Sequence, residues 1–354
     1  MRRLLHKYVP AHFRNPVRLA ARLAATRDPA ALFAMGAAVA GMVATPLDLA
    51  MTPWERRQYA KAPATTGPLL FICGAPRSGT TLVYQTLVNA LPVAPFTNVV
   101  QIFPRSPLVA TKMLQRWGMK PSATYRNFYG RTAGLSGLND ALPLWDRFLG
   151  DDRSRDPEPI TPQVAARMRR FFAAWSVAFG LPVASKCNRV VVAAADLAQA
   201  LPEAIFICLE REPLPHAFSL LEARRMIHGD ERVPYGQAPE QSWNAEHPTA
   251  SVACQVQYYQ ELVRRQLALV GPERFWIQSY EEFCRNPDAL VRRAASALFP
   301  AGRATDLPPV LPYEPRCGSR PNAGLAARME RELAALGLLD SCGESISQQS
   351  YACG

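Results

Sequence analysis

The 354-residue chain has eight cysteines and five histidines, but no C-x-x-C pair and no histidine and cysteine at metal-ligand spacing. That excludes the common zinc-site patterns, and no metal site is expected. The cysteines, at 73, 187, 208, 254, 284, 317, 342 and 353, stand singly. Cys73, Cys187 and Cys208 lie in or beside apolar runs, which suits small buried side chains in a reducing compartment rather than a disulfide framework. Also lacking is any nucleic-acid-reading module or stacking pattern of aromatics among the basic residues, so the formal charge of +11 is not read as nucleic-acid binding. Apolar residues make up 49% of the chain and charged ones 19%, which leaves material for a real core. The length allows one large α/β domain with appendages.

The most informative absence is a single lysine. The apolar run at 69–73 leads into Gly74-Ala75-Pro76-Arg77-Ser78-Gly79-Thr80-Thr81 and then an evident helix. This is the layout of a phosphate-cradling loop, but Thr80 stands where an ATPase or GTPase carries the lysine that reaches the β and γ phosphates. An anion is expected, and a triphosphate is not. Gly74 and Gly79 let the backbone approach the anion and take positive φ, while the first amides of the helix point at the bound charge. Thr80 and Thr81 add hydroxyls. Arg77 adds a planar fork of donors that stays charged at physiological pH.

These residues resemble the 5′-phosphosulfate loop of sulfotransferases that use 3′-phosphoadenylyl sulfate, in the bacterial and Golgi-type branch with arginine in the loop. The resemblance implies a second signature, a strand followed by an arginine and, eight residues on, a serine. Arg211 after the apolar run at 204–209, with Pro213 and Ser219, matches it. Arginine and serine would then hold one 3′-phosphate, although Arg211 also suits a surface pair with Glu210 or Glu212. Two further echoes extend the likeness over most of residues 69–300. Lys186, ending the run 181–186, resembles the lysine that helps neutralise the transferring sulfonate. Tyr280, after 275–279 and before Asn286-Pro287, resembles the tyrosine that lies against the adenine, or is simply a buried tyrosine at a strand end. Arg316 and Arg320 are weaker candidates for a cationic loop over the 3′-phosphate.

What the resemblance implies is a P-loop-type α/β fold, a parallel sheet flanked by helices, spanning residues 67–340. A helical segment at 1–66 would precede it and a flexible tail at 341–354 would follow. The implied reaction is sulfonate transfer from 3′-phosphoadenylyl sulfate, as co-substrate, to an acceptor hydroxyl. A glycan or glycolipid is the favoured acceptor, with small molecules open. Loop amides, Arg77 and Lys186 supply positive charge, and no divalent metal is demanded.

The chain departs from the pattern at the base: a glutamate is usual about twenty residues past the loop, and here Thr97 or Asn98 occupies that position. Asp140 is the first substitute, then Asp146 and His216. Trp145, between the two carboxylates, offers a flat face for a sugar ring or fills a packed helix. Two other readings remain. One is a nucleotide-binding assembly protein with impaired catalysis; the other is an atypical P-loop kinase.

Residues 1–60 hold nine Lys/Arg against three acids, more than half of the net charge. A basic amphipathic helix is expected over 15–27, with Arg14, Arg18 and Arg22 on one side. An uncharged helix is expected over 30–45, stopping before Pro46. At 1.5 Å per residue it reaches about 25 Å, short of a bilayer's roughly 30 Å core. The pair suggests attachment to an anionic membrane surface with the body in the cytoplasm, or an alanine-rich helix packed on the body or on a second subunit. A cleaved export signal is not expected, since the apolar stretch begins late.

Overall fold

The apolar runs of the sequence pair side by side as parallel strands, because each is buried on both faces and needs helices above and below it. The computed structural model describes residues 16–65, 67–153, 155–299, 307–315 and 322–339; Arg316, Arg320 and the tail at 341–354 lie outside them. In chain order the principal elements are α1 (Pro16–Thr26), α2 (Pro29–Ala60), β1 (Leu69–Gly74), α3 (Thr80–Ala90), β2 (Ala94–Pro95), α4 (Pro107–Arg116), α5 (Leu142–Leu149), α6 (Pro162–Phe179), β3 (Val183–Lys186), β4 (Ala204–Glu210), α7 (Pro213–His228), α8 (Pro248–Val270), β5 (Phe275–Ser279), α9 (Tyr280–Arg285), α10 (Pro287–Leu298) and α11 (Ala323–Ala335).

The sheet order is β2-β3-β1-β4-β5, parallel throughout. From β1 the chain runs out to the edge strand β2, returns inward to β3 beside β1, and then crosses β1 to β4 and β5. β1 is therefore the switch point, and the crevice beyond the carboxyl ends of β3, β1 and β4 is where such sheets bind ligands. Register delivers the chemistry to that edge, since Ile72 pairs with Lys186 and Gly74 with Leu209. An aromatic cluster including Phe71, Phe96, Phe172, Phe206 and Trp145 fills one side of the sheet. Leu70, Ile72, Leu87, Val291 and their neighbours fill the other.

The N-terminal helices differ from the sequence expectation. α2 does not stop before Pro46 but continues to Ala60, with Pro46 and Pro53 inside it. Thr45 and Thr52, one residue before each proline, donate their hydroxyls to Gly41 O (2.9 Å) and Asp48 O (3.1 Å). Tertiary contacts hold the rest: the Asp48 carboxylate accepts from the Arg105 and Ser106 amides, and that of Glu55 from the Leu108 and Val109 amides. Two buried acids of α2 thus satisfy the donors that α4 leaves open at its start. In α1, Arg22 donates to Met226 O (3.1 Å) and Ile227 O (2.8 Å), so it faces the end of α7 rather than solvent. Among the described residues, α2 alone is long and apolar enough to cross a membrane by length and composition.

Candidate functional site

The loop after β1 is built by close approach. Gly74 has φ 140°, and a Cβ there would stand 2.6 Å from Leu209 O on β4. Arg77 itself adopts φ 72°, a left-handed conformation uncommon for a residue other than glycine and held here by its surroundings. His216 on α7 donates Nε2–H to Pro76 O at 2.8 Å, Arg211 donates Nη1 to Arg77 O at 3.1 Å, and Ser78 Oγ donates to Ala75 O at 2.8 Å. Gly79, at φ 97°, caps α3 without a side chain, leaving the helix's first amides to an anion. The Tyr280 ring occupies the space beside it: a Cβ on Gly79 would lie 2.2 Å from Tyr280 Cδ2.

Around this loop lies a cavity of about 980 Å³. Its walls bring together Pro76, Arg77, Gly79, Thr80, Thr81, Asp140, Lys186, Arg211, Ser219 and Tyr280, which sequence spacing had placed far apart. Arg77 Nε donates to Ser219 Oγ at 3.1 Å, so the loop cation and the α7 serine are neighbours. The Arg211 guanidinium lies over the Tyr280 ring, 5.0 Å from its centroid. Thr80 Oγ1 donates to Asn188 Oδ1 at 3.2 Å. Lys186, 3% exposed, donates to Asp140 Oδ1 at 2.6 Å, and Asp140 keeps 27% of its side-chain surface open.

The position where the glutamate is usual has a different task here. Asn98 is buried; its Nδ2 donates to Thr132 O and Gly134 O, and its Oδ1 accepts from Asn139. Asn139 in turn accepts from the Ala141 amide at 2.7 Å. Asn98 therefore fixes the turn that carries Asp140 into the cavity.

Three sequence candidates are placed elsewhere. Asp146 accepts from Arg153 (2.6 Å) and Arg189 (3.0 Å) and is committed to that ion-pair cluster. His216 is used on the loop carbonyl, and burial pushes its pKa down to about 4, the wrong direction for a base near neutrality. Trp145 is 1% exposed, packed edge-on against Phe71 and donating to Ser185 Oγ, so no sugar reaches its face. Thr97 is buried.

Other cavity groups were not read from the sequence. Tyr129 lies under Arg77, 4.7 Å from guanidinium to ring centroid. Burial, and then Glu222, push its phenol up; Tyr235 is raised by burial too, so both stay neutral donors. Glu222 stands one turn beyond Ser219 on α7, a spacing that would have exposed it once α7 was aligned. Among the described residues no group of three or more His, Cys, Asp or Glu is arranged to hold a metal.

A family model described as "Sulfotransferase family" matches residues 68–298. No curated protein matches the chain. Among solved structures, sulfotransferase STF9 from Mycobacterium avium is 20% identical, with 86% of this chain and 76% of that one covered and a TM-score of 0.44. Sulfotransferase STF1 from Mycobacterium tuberculosis H37Rv is 11% identical over 79% and 80%, TM-score 0.49. A sulfotransferase from Alicyclobacillus acidocaldarius is 18% identical over 76% and 95%, TM-score 0.34.

Proposed function

The chain belongs to the sulfotransferase family, and on that premise we propose that it transfers sulfonate from 3′-phosphoadenylyl sulfate to the hydroxyl of a carbohydrate or glycolipid. The observation that supports this most is the opening of the 74–81 loop and the Arg211–Ser219 pair into one cavity. A nucleotide phosphorylated at both its 5′ and 3′ positions needs two anion grips that close together. The donor set fits it: loop amides, Arg77, Thr80 and Thr81 for the phosphosulfate, Arg211 and Ser219 for the 3′-phosphate, and Tyr280 for the base.

When bound, the donor supplies an electrophilic sulfur and a phosphate leaving group. Asp140 accepts the proton of the acceptor hydroxyl, its carboxylate aimed by the Asn98–Asn139 turn and by Lys186. Lys186, Arg77 and the α3 amides stabilise the negative charge that develops on the leaving oxygen, in place before the reaction and with no reorganisation required. The proposed location is the cytoplasm, peripheral to the inner face of the membrane.

Calorimetry with 3′,5′-adenosine bisphosphate beside magnesium ATP tests the reading. Binding of the bisphosphate without magnesium, and none of ATP, is expected; the reverse result makes the protein a P-loop kinase and ends the proposal.

A further inference from the structure

α2 divides lengthwise into two unlike faces. One packs on the body through Ala30, Ala31, Ala37, Gly41, Asp48, Met51 and Glu55. On the opposite side Leu32, Val39, Val43, Leu47 and Trp54 are 45%, 56%, 76%, 51% and 54% exposed. At 3.6 residues per turn these five fall within an arc of about 80° and form a stripe about 33 Å long. An apolar patch of that length on a soluble face marks an interaction surface.

The charges on the helix are sorted in the same way. Beyond its cap Asp28, the only acids of α2 are Asp48 and Glu55, and both are buried and turned onto the backbone amides of α4 and its approach. The exposed side therefore carries no carboxylate. Arg57 and Lys61, three and seven residues after Trp54, continue along the stripe, and Arg56 stands beside it; all three are exposed.

We propose that this face docks on the surface of an anionic lipid bilayer, with α2 lying in the plane of the interface. The inference is independent of the reaction proposed for the cavity. Leu32, Val39, Val43 and Leu47 enter the acyl boundary, Trp54 sits at headgroup depth, and Arg56, Arg57 and Lys61 meet lipid phosphates. Spanning the bilayer is excluded by the packed face. It would carry Asp48 and Glu55 into hydrocarbon and strip the caps from Ser106, Leu108 and Val109. A second copy fits the face poorly on charge. Two such helices side by side, in either direction, bring their cations to a surface without carboxylates, since Asp28 is engaged with the Ala30 and Ala31 amides.

Flotation of the full chain with phosphatidylcholine vesicles, with and without a minority of phosphatidylglycerol, decides the matter. The protein is expected to float with the anionic vesicles and not with the neutral ones. Val43→Glu combined with Leu47→Glu should abolish flotation. Arg57→Ala and Lys61→Ala should each lower partitioning about fivefold, an effect that fades as salt is added. Binding of 3′,5′-adenosine bisphosphate should stay unchanged in all of these variants. Failure of the wild-type chain to float, or equal flotation with neutral vesicles, overturns the proposal. So does light scattering that finds a wild-type dimer and a Val43→Glu/Leu47→Glu monomer, for then a second copy covers the face. If the double glutamate variant does not fold, the two alanine variants and the salt series carry the test alone.

Discussion

Arg77 belongs to both halves of the cavity, since its backbone forms the loop and accepts from Arg211 while its Nε reaches Ser219 on α7. Arg77→Ala should leave the melting temperature unchanged and lower kcat about 10²–10³-fold, the cost of removing one preorganised donor from a developing oxyanion. Asp140→Asn keeps the shape of the Lys186 contact and removes the base. Turnover should fall about 10²-fold or more with donor affinity retained; a variant that turns over normally would move the proton transfer to another group. His216 gives a signature in pH. Burial lowers its folded pKa from 6.5 to about 4, so the unfolded chain binds the extra proton first as the medium acidifies. Stability from this group is complete above pH 6.5 and is lost as pH falls towards 4, by about 3 kcal/mol in all. Urea unfolding at a series of pH values should find that loss in the wild type and a shallower one in His216→Gln.

At the scale of elements, the start of α3 is held by a contact that depends on one missing side chain. Gly79→Ala places a methyl where the Tyr280 ring lies and must also hold φ 97°. It should cost about 1–3 kcal/mol of stability and weaken binding of 3′,5′-adenosine bisphosphate, because Tyr280 supports Arg211. Gly118→Ala is the control: its φ is 88° but the space is open, so it should cost stability and leave affinity intact. β1, β3, β4 and β5, with the loop, Lys186, Arg211 and Tyr280 at their ends and Ser219 on the helix after β4, were legible in the sequence. A strand buried on both faces is an apolar run, and the groups it delivers follow it within a few residues. α2 was not legible beyond Thr45. Pro46 reads as a break, while the groups that carry the helix past it, the amides of Ser106, Leu108 and Val109, lie more than fifty residues downstream. Asn98 was equally hidden, since its partners Thr132, Gly134 and Asn139 come together only when the 132–139 turn closes on it. Trp145 stood open between a sugar-stacking face and a packed helix because exposure does not show in composition; the structure takes the second, burying the ring among Phe71, Phe148 and Phe172.

For the molecule as a whole, parts outside the matched region 68–298 brace the helix that carries Ser219, His216 and Glu222. From the N-terminal side, Arg22 bonds two of the last carbonyls of α7, a cation at the negative end of a helix. From the C-terminal side, α11 buries Met329 and Leu333 completely in a cluster with Ala217, Leu220 and Leu221 of α7 and Val252 and Val256 of α8. Met329→Ala or Leu333→Ala should therefore cost about 2–5 kcal/mol, roughly 2 °C of melting temperature per kcal/mol in a chain of this size. The same change should loosen α7 against the loop, so affinity for 3′,5′-adenosine bisphosphate should fall along with stability. Leu201→Ala, a buried leucine of the aromatic cluster on the sheet, should melt as early and bind as well as the wild type at low temperature. If Leu333→Ala loses stability and keeps full affinity, α11 is only a cover on the core. If both fall together, the appended helix sets the spacing between the two anion grips, and the catalytic unit extends past residue 298.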